Sequence, residues 1–182
     1  MNSKNSRAAI LTALAGLGLG FLAAAHADSS HQPPTYFQVG LGGGVAETHT
    51  HGSNQGTSEA MVGFRFNQYV GVQAVAFQIN DVVHAPSTLP GPPVYDFDRF
   101  WGAQLVGFIP CTPYWDIYGE IGGGQSRMTS GTPGAPSQDK GDGLVGAGIR
   151  WQITDHIAAS LDVTRLWDAR VTNGTLRAEL NF

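Results

Sequence analysis

The sequence predicts an all-β protein, an eight-stranded antiparallel up-and-down transmembrane β-barrel. Three observations predict this fold class. The chain begins with the features of an export signal, no second long apolar run follows it, and most of the remainder alternates apolar and polar residues with a period of two. Membrane crossing without a second apolar run has to use strands, because only helices and closed barrels satisfy every backbone polar group in lipid.

Residues 1–27 are typical of a secretory signal peptide. Lys4 and Arg7 form a basic start, an uncharged run rich in Ala, Leu and Gly follows, and Ala25-His26-Ala27 has the small-x-small form of a cleavage site. An uncleaved membrane anchor is the alternative, which the high Gly and Ala content and the processing site disfavour. We expect cleavage near Ala27, which leaves residues 28–182 as the barrel domain.

The composition excludes several functional classes. Removal of Lys4 and Arg7 lowers the 10 basic residues to 8, against 14 acidic ones, so the mature net charge is −6 with His neutral. A nucleic-acid partner is not expected, because phosphates require a basic face. Cys111 is the only cysteine, so no disulfide forms within the chain. We expect a monomer without a cofactor.

Six segments have one apolar and one polar face. Their apolar faces take every second residue of Phe37–Val45, Ala60–Phe66, Trp115–Ile121, Val145–Ile153, Ile157–Val163 and Leu176–Phe182. Two further segments complete the count of eight. Val70–Val83 switches face around Gln73–Ala76, which predicts a β-bulge, and Asp98–Ile109 places Trp101, Leu105 and Ile109 opposite Gln104. Each segment has about the length that a tilted strand needs to cross hydrocarbon.

The charged residues of these strands are expected inside the barrel, with the Phe, Ile, Leu and Val positions in lipid, because a charge on the lipid face costs a few kcal/mol near the midplane. A soluble barrel of the lipocalin kind would reverse these faces. Side chains fill an eight-stranded barrel, so we expect Arg65, Arg150 and Arg177 to pair with carboxylates in a structural network. Inward glycines are expected to make room for these long side chains. The predicted lumen network consists of Glu59, Arg65, Asp116, Glu120, Asp142, Arg150, Asp162, Arg177 and Glu179.

The predicted connections alternate in length, as short periplasmic turns and long outer loops do. The short set is Asn67–Tyr69, Cys111–Tyr114 and Thr154–Asp155, and the outer set is Thr48–Gly56, His84–Tyr95 and Arg127–Lys140 with a tighter connection at Trp167–Gly174. Aromatic residues cluster at both ends of the strands, which predicts an aromatic girdle. The periplasmic belt is Tyr36, Phe37, Phe66, Tyr69, Tyr114, Trp115, Trp151 and Phe182, and the outer belt is Phe97, Phe100, Trp101 and Trp167.

Two stretches resemble the OmpA/OmpX-like family of small outer-membrane barrels. Gly141–His156 looks like the family's recurrent hairpin, and Leu180 with Phe182 is similar to its terminal assembly signal, although Arg177 stands where that pattern usually has Gly. The resemblance implies a Gram-negative bacterial outer membrane, transit with periplasmic chaperones and insertion by the barrel assembly machinery. It also implies contact with outer-membrane lipid and lipopolysaccharide.

Three functions stay open from the residues alone. We expect a non-enzymatic barrel with a structural or surface-interaction role through its extracellular loops. One alternative is a lipid A-modifying, deacylase-like enzyme that uses Ser53, His51 and Glu47, and another is a narrow pore or small-solute transporter. The residues His49 and His51 are weak candidates for metal ligands, because two imidazoles do not complete a site.

Overall fold

The computed structural model of the protein describes residues 35–48, 54–80, 95–130 and 136–182. It confirms the predicted fold class: eight strands form one closed barrel in which every neighbouring pair is antiparallel. In the described part, no helix is long and apolar enough to cross a membrane. The strands are β1 (Tyr36–Thr48), β2 (Asn54–Arg65), β3 (Val70–Ile79), β4 (Tyr95–Thr112), β5 (Trp115–Ser130), β6 (Gln138–Gln152), β7 (Ile157–Leu166) and β8 (Val171–Asn181).

The barrel closes between its first and last strands. The β1–β8 register runs from Gln38 opposite Asn181 to Thr48 opposite Val171. Beyond the end of β8, Phe37 and Phe182 exchange backbone hydrogen bonds of 3.1 and 2.9 Å. This closure leaves no strand edge, which is the condition for a sheet to be stable in hydrocarbon.

The barrel has two different ends. The turn end carries residues 66–69, 113–114 and 153–156 together with Phe182, and the loop end carries residues 167–170 and the strand ends at Thr48, Ile79, Ser130 and Gln138. The alternation of short and long connections is confirmed in part, because the connection at 167–170 has four residues, as many as those at 66–69 and 153–156, and β8 begins at Val171, inside the predicted loop Trp167–Gly174. At the turn end, Asn67 Oδ1 accepts the backbone N–H groups of Tyr69 and Val70 at 2.8 and 2.9 Å, so an Asx motif fixes the first turn.

Several strands extend further than predicted. The predicted loop Arg127–Lys140 is wrong in its bounds, because β5 continues to Ser130 and β6 starts at Gln138. Pairing continues here because a ladder needs only backbone partners, and Arg127 and Asp139 are cross-strand neighbours of opposite charge. At the turn end, β4 continues to Thr112, with a register shift between Pro110 and Thr112 where proline has no N–H to donate.

The predicted bulge in β3 is wrong. This strand alternates strictly between exposed and buried residues from Val70 to Ile79, and its pairing with β2 and β4 has no register shift. Val75, Phe77 and Ile79 therefore face the interior together with Gln73. The expectation that aliphatic and aromatic residues all face lipid fails at this point, since the loop end of the interior is itself apolar.

The aromatic girdle is confirmed in part. Phe37, Phe66, Tyr69 and Phe182 are exposed at the turn end, and Trp115 stacks on Trp151 with ring centroids 5.5 Å apart. Trp101 and Trp167 are exposed at the loop end. Three predicted members are wrong, because Tyr36, Phe97 and Phe100 are buried inside the barrel.

Candidate functional site in the barrel interior

The interior has mostly polar and charged side chains at the turn end and in the middle of the barrel, and its larger apolar cluster at the loop end. Buried polar residues such as Ser126, Asp142 and Asn173 accompany that cluster, and a smaller apolar cluster of Val106, Phe108 and Tyr118 lies nearer the turn end. The division follows the strand alternation, because residues of one parity point inward along the whole height of each strand. All nine residues of the predicted lumen network lie on these inward positions.

Arg65 holds the turn end of the interior together. Its Nη1 donates to Asp116 Oδ2 at 2.8 Å and to Tyr36 Oη at 3.0 Å, while its Nε and Nη2 donate to the carbonyls of Asn67 and Gln68 at 3.1 and 2.6 Å. Its Cζ also lies 3.9 Å from the ring centroid of Phe108. The arginine thereby ties β2, its following turn and β5 into one contact set, in which every polar bond is charge-assisted.

Arg150 links this set to the last strand. Its Nη1 lies 3.7 Å from Asp116 Oδ2, and its Nε donates to Glu179 Oε2 at 2.7 Å. The hydroxyl of Ser160 donates to Glu179 Oε1 at 2.7 Å, and Arg150 Nη2 donates to Asn181 Oδ1 at 3.0 Å. Two carboxylates and two guanidiniums thus alternate across the turn end.

Arg177 occupies the middle of the barrel. Its Nη2 contacts Glu59 Oε1 at 3.3 Å and also bonds Asp162 Oδ2. Tyr118 Oη donates to Asp162 at 3.1 Å, and Thr175 donates to Glu59 at 3.0 Å. Because β2, β5, β7 and β8 all contribute, this cluster braces opposite walls of the barrel.

Two of the predicted carboxylates make no ion pair within the described residues. Glu120 accepts from Gln104 Nε2 at 2.8 Å and from the hydroxyl of Thr164 at 2.9 Å. Asp142 accepts from Ser126 at 2.7 Å and from the backbone N–H groups of Asp168 and Ala169 at 2.8 and 3.0 Å. Asp142 therefore binds the connection between β7 and β8, and it does not pair with an arginine among the described residues.

Inward glycines lie against the large side chains of this network. A Cβ at Gly40 would meet Arg177 Cδ at 2.7 Å, and one at Gly148 would meet the ring of Tyr118 at 2.6 Å. A Cβ at Gly146 would overlap Glu120 Oε1. The space that glycine leaves is therefore filled by a long polar side chain from another strand.

The apolar cluster fills the loop end. Phe77 is its centre, with the rings of Phe97 and Phe100 at centroid distances of 5.6 and 5.4 Å. Phe100 is 1% exposed, so the cluster is closed to solvent around it. Its members are Ala46, Val75, Phe77, Ile79, Phe97, Phe100, Leu144, Leu166 and Val171, with Ala169 packed against them.

The sequence and the fold agree on one family. The family described as the outer membrane protein β-barrel domain matches residues 12–182. This chain belongs to that family. The outer membrane is therefore the location of this barrel, and the faces of its strands have the distribution that lipid on the outside requires.

Solved outer-membrane barrels share the architecture at low sequence identity. The β-barrel domain of OprF from Pseudomonas aeruginosa is 14% identical with a TM-score of 0.59, over 80% of this chain and 97% of that one. Ail, the attachment invasion locus protein of Yersinia pestis, is 16% identical with a TM-score of 0.54, over 81% and 97%. The Neisserial surface protein A is 16% identical with a TM-score of 0.56, over 82% and 96%. The sequence matched none of the curated proteins with which it was compared.

Three of the remaining candidate residues, Glu47, Leu180 and Phe182, lie near the ends of this outer-membrane barrel. Leu180 and Phe182, predicted as the assembly signal, are 50% and 71% exposed on the same outward face. His49, His51 and Ser53 lie outside the described residues, and Glu47 lies at the loop end of β1. Within the described ranges, no group of three or more His, Cys, Asp or Glu residues is placed to hold a metal ion.

The apolar cluster is the feature that the sequence prediction missed. Its signal was present in β3, where Val75, Phe77 and Ile79 share the parity of Gln73. A bulge was predicted here because the interior was expected to be polar throughout, although the alternation of inward and outward residues continues unbroken along β3. A simple count of positions from Gln73 would have placed the apolar residues inside.

Proposed function

We propose that this protein is a closed, non-enzymatic outer-membrane barrel that has a structural or surface-interaction role through its loop-end segments. The single observation that carries the proposal is the filled interior. The apolar cluster lies across the loop end, and the ion-pair network lies below it. Such an interior supports a rigid barrel rather than a water-filled path.

The two parts of the interior oppose ion passage for different reasons. An ion that entered from the turn end would meet side chains already bonded to one another, such as Arg65 with Asp116 and Arg150 with Glu179. An ion that entered from the loop end would have to pass Phe77 and Phe100, whose packed rings carry no polar atom to replace its hydration shell. Solute transport would need both parts to rearrange.

The loop end is the surface that the rigid barrel supports. By the usual topology of such barrels, short turns lie in the periplasm and long connections lie outside the cell. Asp142 secures the connection at 167–170 through the N–H groups of Asp168 and Ala169. The barrel thereby holds the bases of its outward segments at fixed positions, as a surface with a binding role requires.

Planar-bilayer recording tests this proposal. We expect the purified protein to show no steady current steps after reconstitution, with heat-modifiable gel migration of the same sample as the control for a folded barrel. Steady, well-defined channels from folded protein would contradict the closed interior and favour the narrow-pore function. A changed lipid A mass on expression in the outer membrane would instead favour the deacylase-like enzyme.

A further inference from the structure

Glu120 is a buried carboxyl group without a cation of its own. It lies on the inward face of β5 and is 4% exposed. Within the described residues it makes no ion pair, since Arg177 Nη2 contacts Glu59 and Asp162 instead. An ionised carboxylate without a partner is costly in such surroundings, and a buried carboxyl group avoids this cost by keeping its proton.

The charges around Glu120 are mainly negative. The titratable and charged groups that face this part of the interior are Asp162 on β7, Arg177 and Glu179 on β8, Glu59 on β2 and Tyr118 on β5 itself. Arg177 is the only cation in this set, and it already contacts two of the carboxylates. A third carboxylate, Glu179, is bound by Arg150. Ionised Glu120 would therefore add a negative charge that no cation balances.

Glu120 reaches β7 across a glycine. Its partner on β6 is Gly146, which is in turn the partner of Thr164 on β7. A Cβ at Gly146 would overlap Glu120 Oε1, so the glycine leaves the carboxyl group room to cross β6. Glu120 Oε1 thereby lies 2.9 Å from Thr164 Oγ1, and the same hydroxyl lies 3.5 Å from Asp162 Oδ1. Thr164 stands between two carboxyl groups.

Thr164 has a single hydroxyl hydrogen to donate. If both carboxyl groups are ionised, this hydrogen can serve only one of them. If Glu120 Oε1 carries a proton, it donates to Thr164 Oγ1, and Thr164 donates to Asp162 Oδ1. Both contacts then become hydrogen bonds, while Glu120 Oε2 still accepts from Gln104 Nε2 at 2.8 Å.

The neighbouring amide of Gln104 independently indicates a shortage of hydrogen-bond donors. Gln104 Nε2 uses its two hydrogens on Gln73 Oε1 at 2.9 Å and on Glu120 Oε2. Gln104 Oε1 is buried and has no hydrogen-bond partner in the described part of the chain. A proton on Glu120 adds a donor to a region where acceptors lack them.

We propose that Glu120 Oε1 holds a proton in the folded barrel and donates it to Thr164, so that a chain of two hydrogen bonds links β5 to Asp162. The proton makes this link between β5 and β7 sensitive to pH, because ionisation of Glu120 would leave one carboxylate without a donor. The inference concerns the barrel wall and is independent of any partner at the loop end.

Infrared difference spectroscopy on the folded protein in lipid vesicles tests this proposal. At neutral pH, we expect the spectrum of wild type minus Glu120→Gln to contain the carbonyl band of a protonated carboxylic acid. Glutamine is neutral and of similar size, so the variant should fold, and heat-modifiable migration checks this. The control is Glu179→Gln, which removes a carboxylate that Arg150 Nε contacts at 2.7 Å, and its difference spectrum should contain the bands of an ionised carboxylate. Ionised-carboxylate bands in the Glu120 difference spectrum would overturn the proposal.

Urea titration at several pH values gives a second measurement. The folded barrel would hold a proton that the unfolded chain releases, so its stability falls as the pH rises. We expect the urea midpoint of the wild type to fall relative to that of Glu120→Gln between about pH 5 and about pH 8, where the unfolded carboxyl group is ionised. A constant difference between the two midpoints over this range would contradict the protonated state.

Discussion

Replacement of Arg177 by methionine is expected to lower the free energy of unfolding by about 3–5 kcal/mol. The variant keeps a side chain of similar length but leaves Asp162 and Glu59 without their cation in the middle of the barrel. Both carboxylates are buried, so water does not replace the lost partner. The measurement is a urea titration in lipid vesicles, followed by heat-modifiable migration and tryptophan fluorescence.

Two controls separate the buried charge from general damage. Arg165→Met removes an exposed arginine on the outside of β7 and should change the free energy of unfolding by about 0.5 kcal/mol or less. The triple variant Arg177→Met/Asp162→Asn/Glu59→Gln removes the uncompensated charges and should regain most of the loss. A loss below about 1 kcal/mol in the single variant would contradict the assigned role of Arg177.

Replacement of Phe100 by alanine is expected to cost about 3–5 kcal/mol, because the apolar cluster would lose a fully buried ring and keep a cavity. Phe100 packs on Phe77 with a centroid distance of 5.4 Å. Gly102 lies so close that its added Cβ would meet Phe100 Cζ at 2.7 Å. The same urea titration measures the effect.

The matched control for this cavity is Phe37→Ala. Phe37 is 59% exposed on the lipid-facing side, so acyl chains refill the space that its ring vacates. We expect a clearly smaller loss of stability than in Phe100→Ala, since no closed cavity forms. Equal losses in the two variants would show that the loop end is not packed as a solid interior.

The fold was predictable because its two determinants are local. Alternation and the cost of charge in lipid placed Arg150 inward and Ile149 outward, as the structure has them, and turn residues such as Asn67 marked where strands end. Strand ends at the loop side were less predictable. Pairing there continues through polar residues such as Arg127 and Asp139, which carry no apolar pattern.

The sequence predicted which charged residues face the interior, but it did not predict their hydrogen-bond partners. Parity placed Asp142 and Glu120 inside, but which donor meets each carboxylate depends on strand register and barrel curvature. Asp142 accepts hydrogen bonds from backbone N–H groups of the connection between β7 and β8, and Glu120 accepts them from the Gln104 amide and the Thr164 hydroxyl. The apolar cluster was missed for a related reason, because Phe97 and Phe100 reach Phe77 only after β3 and β4 are paired.

The account depends on which side of each strand touches lipid, and leucine methyl groups report this directly. In nuclear Overhauser spectra of the protein in lipid nanodiscs, we expect contacts between acyl-chain protons and the methyl groups of Leu105 and Leu176, which are 54% and 52% exposed. The methyl groups of Leu144 and Leu166, each 1% exposed, should show none. Lipid contacts at Leu144 and Leu166, with none at Leu105 and Leu176, would contradict the account.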